Sequence, residues 1–211
     1  MNCPLCRQPH CPAFASAEGR DYFRCQRCEL TFLDPAQRPD PDSEKAYYAL
    51  HENDPDDPGY RTWLDRLAIP LCQQLNNPSN GLDFGCGPGP ALARTLEERG
   101  HQMAVYDPLF AADASVLRWQ YDFVTCTEVV EHFHQPAKEF ELLARLVRPN
   151  GLLAIMTGLL HDRIDFHKWH YRRDPTHVSF YRAQTFQFIG RLHSMTPLSI
   201  LDNGVIILRK D

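Results

Sequence analysis

Leu82-Asp83-Phe84-Gly85-Cys86-Gly87-Pro88-Gly89-Pro90 is the stretch whose reading decides the fold. A short apolar run breaks into glycines at every second position, and Ala91–Arg99 then follows with a helical pattern. Glycine lets the backbone bend tightly and come close to a ligand, with no Cβ in the way. A helix starting there turns its N–H groups back toward that ligand. A dinucleotide loop would read G-x-G-x-x-G and a phosphate loop G-x-x-x-x-G-K-[ST]; neither spacing occurs here. Instead Asp83 stands two residues before the first glycine, where a carboxylate can face a cation or an ammonium group. An ordinary strand–turn–helix corner is the plain alternative, so the flanking sequence has to decide.

Toward the C-terminus, Gly100 ends the helix, His101–Tyr106 reads as a second strand, and Asp107-Pro108 closes it. This strand–helix–strand unit implies a parallel sheet that binds ligands outside the carboxyl ends of its strands. Asp107 lies 24 residues beyond Asp83, where doubly wound folds place the acid that accepts ribose hydroxyl protons. Leu109–Gln120 is too short for a full strand plus a full helix, so this side of the sheet reads as trimmed. Tyr121–Cys126 is a buried strand, and Glu128 and His132 follow at its carboxyl end. Pro136–Val147 carries an amphipathic helical pattern, and Arg148-Pro149-Asn150-Gly151 turns it into the strand Leu152–Thr157. After a helix at Ala183–His193, Pro197–Leu201 and Val205–Leu208 flank Asp202-Asn203-Gly204, a hairpin signal.

The D-x-G-x-G-x-G pattern resembles motif I of the class I S-adenosylmethionine methyltransferases. "YDFVTCTEVVEHF" resembles the fourth strand and following turn of that family, and "LVRPNGLLAIMT" resembles its turn into strand five. The resemblance runs in order over about residues 43–211. It implies an α/β, doubly wound, mostly parallel seven-stranded sheet with its third-strand region shortened, ending in an antiparallel hairpin. It also implies S-adenosylmethionine as the cofactor. Asp83 would meet its methionine end, Asp107 its ribose, and the backbone of Gly85, Cys86, Gly87 and Gly89 would approach it closely. Glu128 and His132 would lie beside the methionine part, and Ala112-Asp113-Ala114 resembles the turn near adenine.

Upstream, Cys3-Pro4-Leu5-Cys6 and Cys25-Gln26-Arg27-Cys28 give C-x2-C-x18-C-x2-C, the spacing of a four-thiolate zinc site. Two such turns complete a closed tetrahedron, which leaves no position for catalysis. A segment this small has too few large apolar residues for its own core, so a structural zinc would carry much of its stability. Arg7 and Glu29 stand after the second cysteine of each pair, where Gly is usual, and His10 and Cys11 read as bystanders, with substitute ligands as the alternative. The reading divides the chain into a zinc-ribbon-like segment at 1–35, a linker with N-terminal helices at 36–78, and a methyltransferase domain at 79–211. Within the linker, Ser43 reads as the cap of a helix over Glu44–His51, and Tyr60–Asn76 as a second helix. Tyr47, Tyr48, His51 and Tyr60 are candidates for a lid over the cofactor, and Cys72 and Cys126 read as core residues.

Thr157–Arg182 is a connection of 26 residues rich in His, aromatic and basic side chains. Long connections at the carboxyl end of a sheet carry function more often than structure. "WHYRRDPTHVSFYRAQTF" resembles a segment of zinc-ribbon-bearing methyltransferases that act on small molecules. His177 is the first choice for a general base, because an unperturbed imidazole titrates near the working pH; His170 and His167 are the alternatives. Trp169, Tyr171 and Tyr181 are candidates to line an acceptor pocket, and Arg172–Arg173 to hold an anionic substituent. A metal reading of these histidines finds no H-x-x-x-H or H-E-x-x-H pair.

The 211 residues carry a formal charge of −5, which argues against a general nucleic-acid or membrane-surface binder. No apolar run approaches the roughly 20 residues of a membrane span, and Met1-Asn2-Cys3-Pro4 opens no signal region, so the expected location is cytoplasmic. The expected function is transfer of the S-adenosylmethionine methyl group to an O, N or C atom of a small molecule. An RNA methyltransferase gripping its substrate through Arg7, Arg20, Arg24 and Arg27, and a non-catalytic binding module, are the two competing readings.

Overall fold

The computed structural model describes residues 1–48, 54, 56–76 and 78–211. Two antiparallel strands open the chain, β1 (Ala13–Ala17) and β2 (Arg20–Arg24), followed by β3 (Thr31–Leu33). The turns that carry the cysteine pairs precede β1 and β3. Arg7 and Glu29 take the positive φ (60° and 62°) that glycine would take more cheaply. Their N–H groups close each knuckle onto the carbonyls of Cys3 and Cys25 at 3.0 Å.

Helix α1 covers Pro41–Tyr48 and α2 covers Pro58–Cys72. Asp40, not Ser43, holds the start of α1: its carboxylate accepts from both the N–H and the hydroxyl of Ser43, each at 2.9 Å. The end expected for this helix at His51 lies outside the described residues. Asp57 caps α2 by accepting from the N–H of Gly59 at 2.7 Å, and the helix stops two residues after Pro70, short of Asn76.

The main sheet is built from β4 (Asn80–Phe84), β5 (Gln102–Tyr106), β6 (Tyr121–Thr127), β7 (Val147–Met156), β9 (Met195–Ile200) and β10 (Val205–Lys210). Their spatial order is β5-β4-β6-β7-β10-β9. The pairs among β5, β4, β6 and β7 are parallel, and β10 runs antiparallel to both β7 and β9. The sheet is thus mostly parallel and ends in a hairpin, as expected. It has six strands among the described residues rather than seven, because Ala114–Arg118 forms a single 3-10 turn where a third strand would stand.

Helix α3 (Ala91–Glu97) joins β4 to β5, α4 (Pro136–Leu146) leads into β7, and α5 (Ala183–Leu192) precedes the hairpin. Alternate residues of a strand face opposite sides, and the core divides accordingly. Phe123, Leu152 and Ile207 face Leu64, Leu67 and Leu71 of α2 and Leu92 and Leu96 of α3. Val124, Ile155 and Ile206 face Phe140 and Leu143 of α4 and Phe186 and Ile189 of α5. Each fully buried Leu or Phe of this kind contributes about 1.5–3 kcal/mol. No helix among the described residues is long and apolar enough to cross a membrane.

The connection after β7 contributes β8 (Ser179–Phe180), which is not part of the main sheet. It pairs antiparallel with β3 as the fourth strand of the N-terminal sheet, Thr31 opposite Phe180 and Phe32 opposite Ser179. An aromatic cluster seals the joint: Tyr22, Phe166 and Phe180 meet edge to face at 4.9–5.9 Å.

Candidate active site

The strand order reverses between β4 and β6, and the crevice expected at such a switch lies at the carboxyl edge of the sheet there. A cleft of about 970 Å³ fills it. The glycine turn forms one wall. Gly85 (φ 79°) and Gly87 (φ 64°) adopt the left-handed conformation. A Cβ on Gly85 would lie 2.3 Å from Cγ2 of Val129, so glycine is required twice over. The carbonyl of Tyr106 accepts from the N–H groups of Gly85 and Cys86 at 2.7 and 3.2 Å. Cys86 lines the cleft, and burial pushes its thiol up to about 12.

Asp83 and Asp107 both reach this cleft. Asp83 is 4% exposed, accepts from the Thr125 hydroxyl at 2.8 Å, and is pushed up to about 6, chiefly by burial. Among the described residues no Lys or Arg is ion-paired with it. A ligand bearing a sulfonium or ammonium group would supply the missing positive charge. Asp107 does two things at once. Its Oδ1 accepts from Leu109 and Phe110 N–H groups at 2.8 and 3.1 Å, closing the loop after β5, and its Oδ2 accepts from Gly87 N–H at 3.1 Å. The carboxylate therefore ties the glycine turn to the neighbouring strand and still borders the cleft.

The opposite wall comes from the end of β6, from α1 and from the 157–182 connection. Glu128 (φ 51°) is locked by its N–H to the Met156 carbonyl at 2.8 Å. His132 and His177 stand edge to face with ring centroids 4.7 Å apart. A main-chain carbonyl accepts from Nδ1 of each: Thr176 at 3.1 Å for His132 and Tyr171 at 2.6 Å for His177. That contact sets the tautomer, so a neutral ring carries its lone pair on Nε2. Nε2 of His177 is 3.7 Å from Asp174 Oδ2 and 4.0 Å from Glu131 Oε1. Burial would raise the Asp174 carboxyl, but the Thr176 hydroxyl and the His177 charge outweigh it and hold it below its ordinary value.

Glu131 was not singled out from the sequence, and it lies buried behind this wall. It is fully buried, accepts from the Thr157 hydroxyl at 3.0 Å and from the Tyr171 hydroxyl, and burial followed by the Glu128 charge raises it well above the usual carboxylate range. Burial raises Glu128 as well. The signal was present as two acids three residues apart in Glu128-Val129-Val130-Glu131-His132, but an acid beside two valines reads as a helix cap until the fold encloses it.

Other assignments need correction. Trp169 does not line the cleft; its ring packs 5.7 Å from Phe180 in the joint with the N-terminal sheet. Tyr181 is fully buried, its hydroxyl donating to the Val130 carbonyl at 2.8 Å. Arg172 is also buried and holds protein groups, not a substituent: Phe166 and His167 carbonyls at 3.1 and 2.9 Å, and Glu18 at 3.3 Å. Arg173 is exposed and does line the cleft. His170 sits exposed on the rim, apart from the His132–His177 pair, and His167 lies outside. Tyr47, Tyr48 and Tyr60 line the cleft, and α1 is anchored there by Glu44 and His134 at 2.8 Å; His51 lies outside the described residues.

The N-terminal cysteines converge. Cys3 and Cys28 sulfurs are 3.5 Å apart, Cys6 and Cys25 sulfurs 3.4 Å, and all four lie within 4.8 Å of one another. A tetrahedral zinc with bonds of ~2.3 Å sets its sulfurs ~3.8 Å apart, so the four residues fit that ion. Cys11 is buried nearby, with its thiol donating to the Gln8 carbonyl at 3.6 Å.

Comparison with known proteins gives a consistent picture. A family model described as a methyltransferase domain matches residues 50–190. A ubiquinone biosynthesis O-methyltransferase of Paracidovorax citrulli (strain AAC00-1) is 31% identical over 141 residues, 55% of this chain and 55% of that one. Another, of Aeromonas salmonicida (strain A449), is 38% identical over 78 residues, 36% of this chain and 32% of that one. The chain thus spans from about a third to about half the length of these curated relatives. Among solved structures, a Burkholderia thailandensis 1,6-didemethyltoxoflavin-N1-methyltransferase with bound 1,6-didemethyltoxoflavin and S-adenosylhomocysteine shares the fold. It has TM-score 0.56 and 17% identity, covering 94% of this chain and 98% of that one. A magnesium protoporphyrin IX methyltransferase from Synechocystis PCC 6803 with bound SAH follows, with TM-score 0.53 and 15% identity, covering 81% and 93%.

Proposed function

Because the chain belongs to the methyltransferase-domain family, whose model spans residues 50–190, we propose that it transfers the methyl group of S-adenosylmethionine to a hydroxyl of a small molecule. One observation carries this reading. A single cleft joins the donor wall, Asp83, Gly85 and Asp107, to the carboxylate–imidazole wall of Glu128, His132 and His177. S-adenosylmethionine, when bound, supplies an electrophilic methyl group; its C–S bond breaks as the acceptor O–C bond forms, and S-adenosylhomocysteine leaves.

The chain's own residues do the rest. Asp83 offsets the positive charge of the donor, and Asp107 accepts from the ribose hydroxyls with the lone pairs its backbone partners leave. Gly85, Cys86, Gly87 and Gly89 let the donor lie against main chain. Tyr48 and Tyr60 limit water at the methyl group and help align it with the acceptor, a contribution of several kcal/mol when the reacting atoms are held in line. The acceptor's proton leaves through the wall that contains His177, whose Nδ1 contact to Tyr171 and neighbours Asp174 and Glu131 orient the ring.

Cys3, Cys6, Cys25 and Cys28 are read as a structural zinc site, closed and without a position for substrate. The ribbon at 1–35, linker at 36–78 and catalytic domain at 79–211 are not independent on this reading, since Ser179–Phe180 completes the ribbon sheet. The RNA alternative loses support because three of the four ribbon arginines serve the protein; Arg7 is exposed. Arg20 donates to the Asp174 and Pro175 carbonyls, Arg24 stacks 3.5 Å from the Phe14 ring, and Arg27 lies 5.6 Å from the Phe188 ring. The test is incubation with isotopically labelled S-adenosylmethionine and a cell extract split into small-molecule, RNA and protein fractions. Label in the small-molecule fraction is expected; label confined to macromolecules would overturn the acceptor class.

A further inference from the structure

The cleft is acidic through most of its lining and basic at one point of its rim. Glu44, Asp83, Asp107, Glu128, Glu139 and Asp174 all border it, whereas Arg173 is the only Lys or Arg among the described residues that does. Several of those acids are engaged by the protein. Asp107 holds the glycine turn and the loop after β5, Glu44 meets His134 at 2.8 Å, and Asp174 accepts from the Thr176 N–H at 2.8 Å. Arg173 differs. Its side chain is 58% exposed, and its one ion pair among the described residues is a long contact from Nε to Glu18 at 3.8 Å. Such a contact contributes little at that exposure.

An exposed arginine is most often merely solvated, and three observations set this one apart. The first is its fixed backbone. Arg173 ends a single 3-10 turn, His170–Arg173, and the buried Arg172 beside it ties that turn to the Phe166 and His167 carbonyls. The second is its setting. Glu18, in the β1–β2 turn of the ribbon, reaches Arg172 at 3.3 Å and Arg173 at 3.8 Å, so the ribbon steadies both side chains. The third is depth. His177 follows on the same connection and also lines the cleft, yet its side chain is only 9% exposed. One connection therefore presents a cation at the mouth and an imidazole farther in. His170 stands exposed on the same rim and adds a second donor. Tyr60 and Trp63, stacked with ring centroids 5.8 Å apart, give the cleft an aromatic side that suits a planar ligand.

We propose that Arg173, with His170 beside it, is an anion-binding subsite that selects and orients the acceptor. An aromatic hydroxy compound enters with its carboxylate or phosphate at Arg173 and its hydroxyl toward His177. The acids deeper in the cleft repel an anion and the rim accepts it, so one charge pattern both attracts the substrate and fixes which end goes in. A guanidinium suits the task because its planar fork takes two anionic oxygens at once. Arg173 is then a specificity residue, remote from the reacting atoms, with no part in the methyl transfer itself. The inference rests on the methyltransferase reading for calling the ligand an acceptor, but its test is a binding measurement that needs no turnover.

Calorimetry is run on the full chain, ribbon metal retained, in the presence of S-adenosylhomocysteine. The probes are 4-hydroxybenzoate, 4-hydroxyphenyl phosphate and the uncharged 4-hydroxybenzamide. At least one anion should bind about 5–20-fold more tightly than the amide, the range for a bidentate charged contact on a half-exposed side chain. Which anion is preferred tells carboxylate from phosphate, and higher ionic strength should shrink the preference. Arg173→Met should abolish it while amide and S-adenosylhomocysteine affinities stay within about twofold, as for independent sites. Arg173→Lys should keep part of it, since the charge remains and the fork does not. The exposed position makes both variants safe for folding, and S-adenosylhomocysteine affinity checks this. Equal affinity for anions and amide, a preference that survives Arg173→Met, or no anion binding at millimolar concentration overturns the subsite. Arg173-dependent anion binding in a chain that binds no S-adenosylhomocysteine would keep the subsite and sink the methyltransferase reading instead.

Discussion

Arg172→Met separates the two halves of the cleft. The Arg172 side chain is 1% exposed, and its guanidinium joins three places: the Phe166 carbonyl at 3.1 Å, the His167 carbonyl at 2.9 Å, and Glu18 in the β1–β2 turn at 3.3 Å. Met fills most of the volume but donates nothing. Leaving the buried Phe166 carbonyl without a partner costs about 1–3 kcal/mol, and losing the charge-assisted bonds to His167 and Glu18 adds about 1 kcal/mol more. The total of about 2–4 kcal/mol is less than the stability of an ordinary domain, about 5–15 kcal/mol, so the protein stays folded while the 157–182 connection loosens. His177 suffers directly, because its Nδ1 is held by the carbonyl of Tyr171, the residue before Arg172. A penalty of about 2–3 kcal/mol on its docked position is worth about 30–150-fold in rate. Asp83 lies on β4, Gly85 and Asp107 directly follow β4 and β5, and neither strand pairs with β3 or β8. The expected result is a single-turnover methylation rate down about 30–150-fold, with S-adenosylhomocysteine affinity measured by calorimetry within about twofold. Amide exchange should quicken between residues 160 and 182 and not in β4. A rate near wild type, or donor affinity falling in step with the rate, would refute the reasoning.

Three further outcomes follow from the same geometry. Chelation of the ribbon metal, or Cys25→Ser, should leave fewer than one zinc per chain by elemental analysis and speed amide exchange at β3 and β8 with donor affinity retained; loss of donor binding would mean the ribbon supports the whole sheet. Asp83 has a folded-state value of about 6, raised by burial above its unfolded value, so its contribution to stability is present below the unfolded value and lost as pH rises through about 6, on the order of 2–3 kcal/mol. Cationic donor relieves that loss: S-adenosylmethionine affinity should climb between pH 5 and 6.5 and then level, whereas Asp83→Asn should bind about 10–100-fold more weakly with a flat profile by calorimetry. Gly85→Ala should lower thermal stability through its φ of 79° and the 2.3 Å approach to Val129 Cγ2, about 1–2 kcal/mol for the conformation and about 1–3 kcal/mol for overpacking. Adding Val129→Ala should recover only the overpacking part, so full recovery would show that the backbone conformation costs nothing.

The parts of the fold carried by local pattern were legible in the chain. Asp83 through Gly89, the strand Tyr121–Cys126 and the hairpin around Asn203 each announce themselves within a dozen residues, because turn chemistry and strand burial are local. Asp107 was legible from its offset to the glycines. The joint between ribbon and connection was not: β8 is two residues long, and its partner Thr31–Phe32 lies almost 150 positions away. The same distance explains the misplaced side chains. Trp169, Arg172 and Tyr181 belong to types that suit a pocket and a core equally, and only the pairing of β8 with β3 shows that they turn inward. Glu131 fails for the opposite reason, since its own turn gives no hint that Thr157 and Tyr171 will close over it.

That joint also explains why the four-cysteine ribbon stands beside the main sheet. A free connection of 26 residues would cost conformational entropy each time it assembled the acceptor wall. Here the cost falls on folding instead. Arg20 holds the Asp174 and Pro175 carbonyls, the Leu33 N–H donates to the Val178 carbonyl at 2.9 Å, and the Val178 N–H donates to the Glu131 carbonyl at 2.9 Å. The last two bonds place β3 on one side of Val178 and the Glu131 turn on the other, one residue after His177. The donor wall depends on the glycine turn and two aspartates of the sheet, the acceptor wall on a connection braced by the ribbon. Substitutions in the ribbon should therefore alter methyl transfer while leaving donor affinity in place, and substitutions in β4 or β5 should do the reverse.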